Sequence, residues 1–180
     1  ALYLILPKFP PSLSGRASVT ALLDLDGNWL RSPIMADNSN PARGVFGFEA
    51  QMDSEGNTYI TGAFAQSASF GTTTLATISK TLDEFVGKYD KQGQWKWVQH
   101  LPSTGRTHGN EVVYDKAGNL YVIGQYSGQP SLGDQFPTLS AQKQGSFLIK
   151  YDADGKQEWS RFITSCSPGQ ATIAADQKNN

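Results

Sequence analysis

Two stretches of this chain repeat one another in unbroken register. Glu49, Asp53, Gly56, Asn57, Tyr59 and Gly62 return as Glu111, Asp115, Gly118, Asn119, Tyr121 and Gly124, each pair 62 positions apart. Ser69 and Gly71 return as Ser131 and Gly133, and Phe85, Lys88, Tyr89, Asp90, Gly93 and Trp97 as Phe147, Lys150, Tyr151, Asp152, Gly155 and Trp159, with no insertion between them. A period of this length marks one supersecondary unit copied along the chain, each copy burying an apolar face on its neighbour.

A third copy is divided between the two ends. Val19 to Gly27 (VTALLDLDG) parallels Phe85 to Gly93, Ala1 to Ile5 (ALYLI) parallels the run around Tyr121, and Ala171 to Asn180 parallels Val112 to Asn119. Placing the C-terminal stretch before the N-terminal one rebuilds a unit with Asp176, Asn180 and Tyr3 in the places of Asp115, Asn119 and Tyr121, one residue longer across the join. The domain reading follows. Residues 1–46 are the later strands of a split first unit, and 47–108 and 109–166 are two whole units. Residues 167–180 are the innermost strand of a split unit, complementing residues 1–6 or a neighbouring chain.

Each unit holds four short runs rich in aromatic and β-branched residues, separated by turn chemistry. In the second copy these are about Glu111–Tyr114, Leu120–Tyr126, Phe147–Tyr151 and Glu158–Ile163. Asp115-Lys-Ala-Gly118-Asn119 and Asp152-Ala-Asp-Gly155 supply the positive φ and the backbone-bonding carboxylate of tight hairpins. The polar connection 128–145 is too broken for a helix and reads as a loop with room for a short extra strand. Its partner is 67–83. Only 17 % of residues are charged, while Gly and Pro number 18 and 9, a composition suited to a turn-rich β protein. Four antiparallel strands per repeated cassette predict an all-β fold, a β-propeller of about three blade equivalents; a repeated sandwich is the competing architecture. Propellers close with about 4 to 8 blades, so the chain is either part of a longer propeller or half of a six-bladed homodimer joined through open sheet edges.

The repeat resembles the SBBP, or seven-bladed β-propeller, repeat of bacterial secreted and surface proteins. The resemblance rests on Asp53-Ser-Glu-Gly56-Asn57-Thr-Tyr59-Ile-Thr-Gly62, on Phe70-Gly71, and on Phe85-Val-Gly-Lys88-Tyr-Asp90-Lys-Gln-Gly93-Gln-Trp-Lys-Trp97. The second copy departs at Leu132 for Phe70 and Leu148 for Val86, and the split copy at Leu22 for Lys88 and Asn179 for Gly118. What the resemblance implies is an extracellular or cell-surface propeller whose relatives share a scaffold and no single activity.

A formal net charge of −1 gives no field that seeks nucleic acid. The longest apolar run, Ala1 to Leu6, is far short of the roughly 20 residues a membrane helix needs. It lacks the basic leader and cleavage site of a secretory signal. Cys166, the one cysteine, excludes an internal disulfide and has no basic neighbour to activate it. No nucleophile-base motif and no phosphate-cradling loop is legible, so no catalytic residue and no cofactor are assigned.

Several residues are candidate sites that also have plain structural roles. Asp24/Asp26 and Asp152/Asp154 alternate like calcium ligands, but Gln92 breaks the pattern in the middle copy and Asp24–Asn28 lacks the ligand spacing of a calcium loop. Hairpin turns explain them. Glu49 and Glu111 share one repeat position, with Thr172 in the third copy. They are candidates to line a channel and hold a cation or sugar hydroxyl, or to bond backbone in every unit. His100, near the end of an outer strand, and His108, in the following loop, do not repeat and read as solvated residues, not metal ligands. Tyr59, Phe64, Tyr121, Tyr126, Trp97 and Trp159 recur and read as packing between units. Trp29 and Trp95 read as non-repeating and exposed, available to a sugar ring or a partner. The expected function is a non-catalytic binding or assembly scaffold with a protein or glycan ligand carried by the divergent loops. The alternatives are a fragment of a propeller enzyme, since Asp90-x-x-Gly93-x-x-x-Trp97 also resembles the tryptophan-docking turn of quinoprotein dehydrogenases and loosely the sialidase Asp-box, and a self-assembling ring or fibre.

Overall fold

The computed structural model describes residues 2–7, 18–23, 26, 28–31, 45–78, 82–105, 107–128, 144–163 and 172–174. These residues contain strands and turns and no helix. In chain order the strands are β1 (Leu2–Pro7), β2 (Ser18–Leu23), β3 (Trp29–Arg31), β4 (Val45–Met52), β5 (Thr58–Ala65), β6 (Ser67–Phe70), β7 (Thr73–Ala76), β8 (Leu82–Tyr89), β9 (Trp95–Leu101), β10 (Thr107–Tyr114), β11 (Leu120–Ser127), β12 (Gln144–Tyr151) and β13 (Gln157–Ile163). They form antiparallel sheets in the orders β1-β2-β3, β4-β5-β8-β9 and β10-β11-β12-β13, with β6-β7 a separate hairpin.

The 62-residue period is reproduced strand by strand. Val45 faces Phe64 and Met52 faces Thr58, as Thr107 faces Tyr126 and Tyr114 faces Leu120. Both first strands shift register at the same point, between Gly47 and Glu49 and between Gly109 and Glu111. Both last hairpins shift after Lys88 and after Lys150. Bulges repeated at one position are built-in bends that set the twist of each sheet.

Side chains alternate across the strands, so the two middle strands of the first sheet bury both faces. One face sends Tyr59 and Val86, with Leu101, into a core shared with Val112, Leu120, Val122, Phe147 and Ile149 of the following sheet. The other sends Ile60, Phe64, Phe85 and Tyr89 against Ala68 and Phe70 of the β6-β7 hairpin. The connection between β5 and β8, expected as a loop with room for a short extra strand, carries two short strands paired as a hairpin flap. Its partner in the second unit lies mostly outside the described residues.

The expected strand runs of the second copy are present but longer at the loop end. β4 and β10 begin at Val45 and Thr107, equivalent positions one repeat period apart. The first three strands form one sheet, and β1 and β2 pack on β4. The expected pairing of residues 167–180 with residues 1–6 or with a neighbouring chain falls mostly outside the described residues; of that stretch, Ile173 is bonded to Glu111 on β10, and among the described residues β1 pairs with β2.

Candidate functional site

The motif aspartates act on their own turns. Asp53 Oδ1 accepts the N–H groups of Glu55 and Asn57 at 3.0 and 2.9 Å, and Oδ2 accepts Asn57 Nδ2 at 2.8 Å and the Tyr59 hydroxyl at 3.4 Å. Asp115 repeats the set with Ala117 N, Asn119 N, Asn119 Nδ2 and the Tyr121 hydroxyl. Burial acts to raise the Asp115 carboxyl, but the Asn119 donors, then Tyr121 and Ala117, hold it below the ordinary carboxylate range. Asp90 and Asp152 each accept two turn amides. The Asp152 carboxylate, read as a possible calcium ligand, is thus committed to backbone amides, while Asp24 lies outside the described residues.

Between the two four-stranded sheets, Trp97 lies on the β12–β13 turn of the next unit. Its indole Nε1 donates to Ala153 O at 3.1 Å, and Gln99 Nε2 donates to Gly155 O at 2.8 Å. Gly155 has φ +83°, and a Cβ there would run into the Trp97 ring, so glycine is required twice over at this position. Tyr114 stacks on Tyr59 with centroids 5.2 Å apart and donates to Met52 O at 2.9 Å, a bond between equivalent positions of adjacent units. These aromatics pack between units.

Glu49 and Glu111 sit on the first strands of their sheets. Partial burial and the neighbouring Glu111 charge raise the Glu49 carboxyl above its ordinary value. Glu111 Oε2 accepts the Ile173 N–H at 2.8 Å, the backbone-bonding role weighed for this position.

A polar layer that the sequence reading passed over lies beneath β8. Glu84 is fully buried; its Oε1 accepts the Thr61 hydroxyl at 2.7 Å, while Oε2 has no hydrogen bond among the described residues. It lies against Gly109 on β10, where any Cβ would collide with it. Burial pushes its pKa up to about 8. Next to it, the fully buried Asp83 accepts His100 Nε2 at 2.8 Å and Ile78 N at 3.2 Å. His100 lies near the end of β9, the outer strand expected, but is not solvated: its side chain is 18 % exposed and its ring lies on Phe64. His108, expected in a loop, is an exposed residue of β10 with its ring 4.1 Å from Phe48. His108 is a strand residue because β10 begins ahead of the repeated motif. A legible signal for the polar layer existed: Asp83 and Glu84 stand where the second copy has Gly145 and Ser146.

Trp95 is not the exposed indole expected from its place after a turn glycine. It is half-buried, edge-on to Phe70 at 5.2 Å and Tyr89 at 5.4 Å, because the β6-β7 flap folds back over it. It also has a counterpart, since Trp29 faces Leu23 as Trp95 faces Tyr89. The side chain of Trp29, like Cys166, lies outside the described residues.

At the loop end a cleft of about 260 Å³ opens between the sheets. Ala63 and Leu82 wall one side, and Thr107, His108, Gln125 and Gln144 the other. Its side-chain groups are neutral hydroxyls, amides and an imidazole, suited to hydrogen bonding with an uncharged polar group. Among the described residues no group of three or more His, Cys, Asp or Glu side chains is placed to hold a metal. No family model matches the chain, and no curated protein matches it.

Proposed function

We propose that this chain is a non-catalytic β-propeller module of the SBBP-repeat type, working outside the cytoplasm as a binding and assembly scaffold. The observation that carries this reading is the interlock between successive units. The Trp97 indole and the Gln99 amide of one sheet are bonded to the hairpin turn of the next, and Tyr114 is bonded to its own equivalent, Met52. An interlock of this kind adds unit after unit in one rotational sense, which is how radial sheets are laid around an axis. The motif carboxylates are occupied in holding turns, which leaves the flap and the loop-end cleft as the surfaces where copies differ. On a rigid repeat framework, such surfaces carry recognition.

The test is a panel of purified polysaccharides and extracellular protein fragments, with turnover followed in parallel. Retention of the folded chain on a discrete subset is the expected result. Hydrolysis of a sialoside, or the absorbance of a bound quinone, overturns the reading in favour of a propeller enzyme.

A further inference from the structure

The second unit lines its side of the loop-end cleft with Thr107, His108, Gln125, Tyr126, Ser127 and Gln144. One period earlier the same six positions are Val45, Phe46, Ala63, Phe64, Ala65 and Leu82, without one hydrogen-bonding side chain among them. Ala63 and Leu82 form the opposite wall, so the cleft sets the apolar version of two of these positions against the polar one. Exposure to water does not account for the change throughout, because Thr107 and Tyr126 are only 2 and 3 % exposed.

The two buried residues differ in what their hydroxyls do. Thr107 Oγ1 accepts the Glu84 N–H at 3.0 Å and donates to Leu101 O at 2.9 Å, which commits it to the fold. Tyr126 differs from Phe64 by its hydroxyl alone, and that hydroxyl is buried with no hydrogen-bond partner among the described residues. Its ring is edge-on to Phe162 with centroids 5.3 Å apart, a contact that a phenylalanine makes equally well. A buried hydroxyl left unpaired lowers stability, so the one atom by which Tyr126 departs from its repeat is a burden to the fold.

We propose, resting on the binding-scaffold reading above, that this cleft binds a single neutral sugar ring, a hexose residue, with the Tyr126 hydroxyl among its hydrogen-bond partners. Size, charge and the unlike walls select the ligand. A volume of about 260 Å³ falls just below the roughly 300–1,000 Å³ of sites for drug-sized molecules, and is room for one ring. No Asp, Glu, Lys or Arg is among the described residues that line it, so an ion entering would lose water without gaining an opposite charge. The carboxamides of Gln125 and Gln144 both donate and accept, as sugar hydroxyls do, while Ala63 and Leu82 offer an apolar wall to the C–H face of the ring. Gln144 is exposed and faces Ser127 beside Tyr126, and rotation of this rim side chain is the movement by which the ring reaches the phenol.

Magnetic resonance titration of the full chain with glucose, galactose and mannose tests this, with the corresponding uronates as charged controls. At least one neutral hexose is expected to bind with a Kd on the order of 1 mM, the weak affinity of one small ring, and to move the amide signals of Thr107, Gln125, Tyr126 and Gln144. Tyr126→Phe and Gln144→Ala each weaken that sugar about tenfold or more, and its uronate binds about tenfold or more weakly than the sugar itself. Circular dichroism confirms the fold of both variants, and Tyr126→Phe is expected to melt no lower than the wild type. A Tyr126→Phe variant that melts well below the wild type assigns the hydroxyl to the fold and overturns the proposal. No binding by any of the three hexoses, shifts confined to the β6-β7 flap, unchanged affinity in Tyr126→Phe, or equal binding of the uronate does the same. Retention on the polysaccharide and protein panel is read separately: retention there with no hexose in the cleft removes this inference alone, whereas sialoside hydrolysis or a bound quinone removes the scaffold reading itself.

Discussion

The sheets β4-β5-β8-β9 and β10-β11-β12-β13 share strand order, register and bulges, yet they are held differently. The first is covered on both faces: by the β6-β7 flap on one side, and on the other by the second sheet, with Trp97 locked onto a glycine turn. The second presents the equivalent Trp159 without that lock among the described residues. Inside, the first carries Asp83, Glu84 and His100 where the second has Gly145, Ser146 and Phe162. Backbone geometry was copied with the repeat; the chemistry at the seams was not. Seams are where copies meet unlike neighbours, so departures concentrate there.

Breaking the lock gives the largest contrast. Trp97→Ala is expected to cost about 3 kcal/mol, as loss of a large packed aromatic does, and Trp159→Ala in the monomer less than about 1 kcal/mol. Urea unfolding at one concentration below any self-association measures both. Equal costs would abolish the distinction between the two faces.

The next contrast is in pH. The Glu84 carboxyl, ordinarily near 4.5, is raised to about 8 in the fold, so between these values the folded state holds a proton that the unfolded state has released. Stability therefore falls as pH rises from about 4.5 through 8, then levels. Glu84→Gln is expected to flatten this window and to exceed the wild type above pH 8 by on the order of 2 kcal/mol. Thermal melts across pH 5–9 measure it; an unchanged slope in the variant would remove Glu84 as the cause.

Smaller effects separate the turns from the seams. Asp115→Ala is expected to cost about 1–2 kcal/mol through turn donors left without an acceptor, and Asp53→Ala about the same, since both make the same set of bonds. The Asp115 contribution is present above its unfolded pKa and lost as pH falls through its lowered folded value. Last comes an inverted surface pair: Lys96 faces Asp90 in one unit, while Glu158 at the same position faces Lys150 in the other. Lys96→Met is expected to cost under about 1 kcal/mol, vanishing in 1 M salt.

How far the fold was readable depended on whether a residue's partner lay within its own unit. Asp53, Asn57 and Tyr59 are bonded to one another within seven residues, so their turn could be read from spacing alone. His100 could not, because its partner Asp83 comes from the neighbouring strand and neither residue repeats. Trp95 failed for a related reason. Its cover, Phe70, comes from a flap whose fold depends on packing against Phe64 and Phe85. In the candidate sites, Glu111 was legible as a position but its partner at Ile173 was not, and Glu84 was passed over because buried carboxylates leave no periodic trace.

By itself, the amino-acid order determined the period, the hairpin turns, the strand alternation and the all-β class, because each follows from interactions spanning a few residues. Only the tertiary structure decided that Glu84 is sealed against Gly109, that Trp97 sits on Gly155, and that Trp159 has no such seat among the described residues. Those outcomes depend on which surfaces meet across tens of residues. Burial, the quantity that sets their energies, does not exist until the sheets have packed.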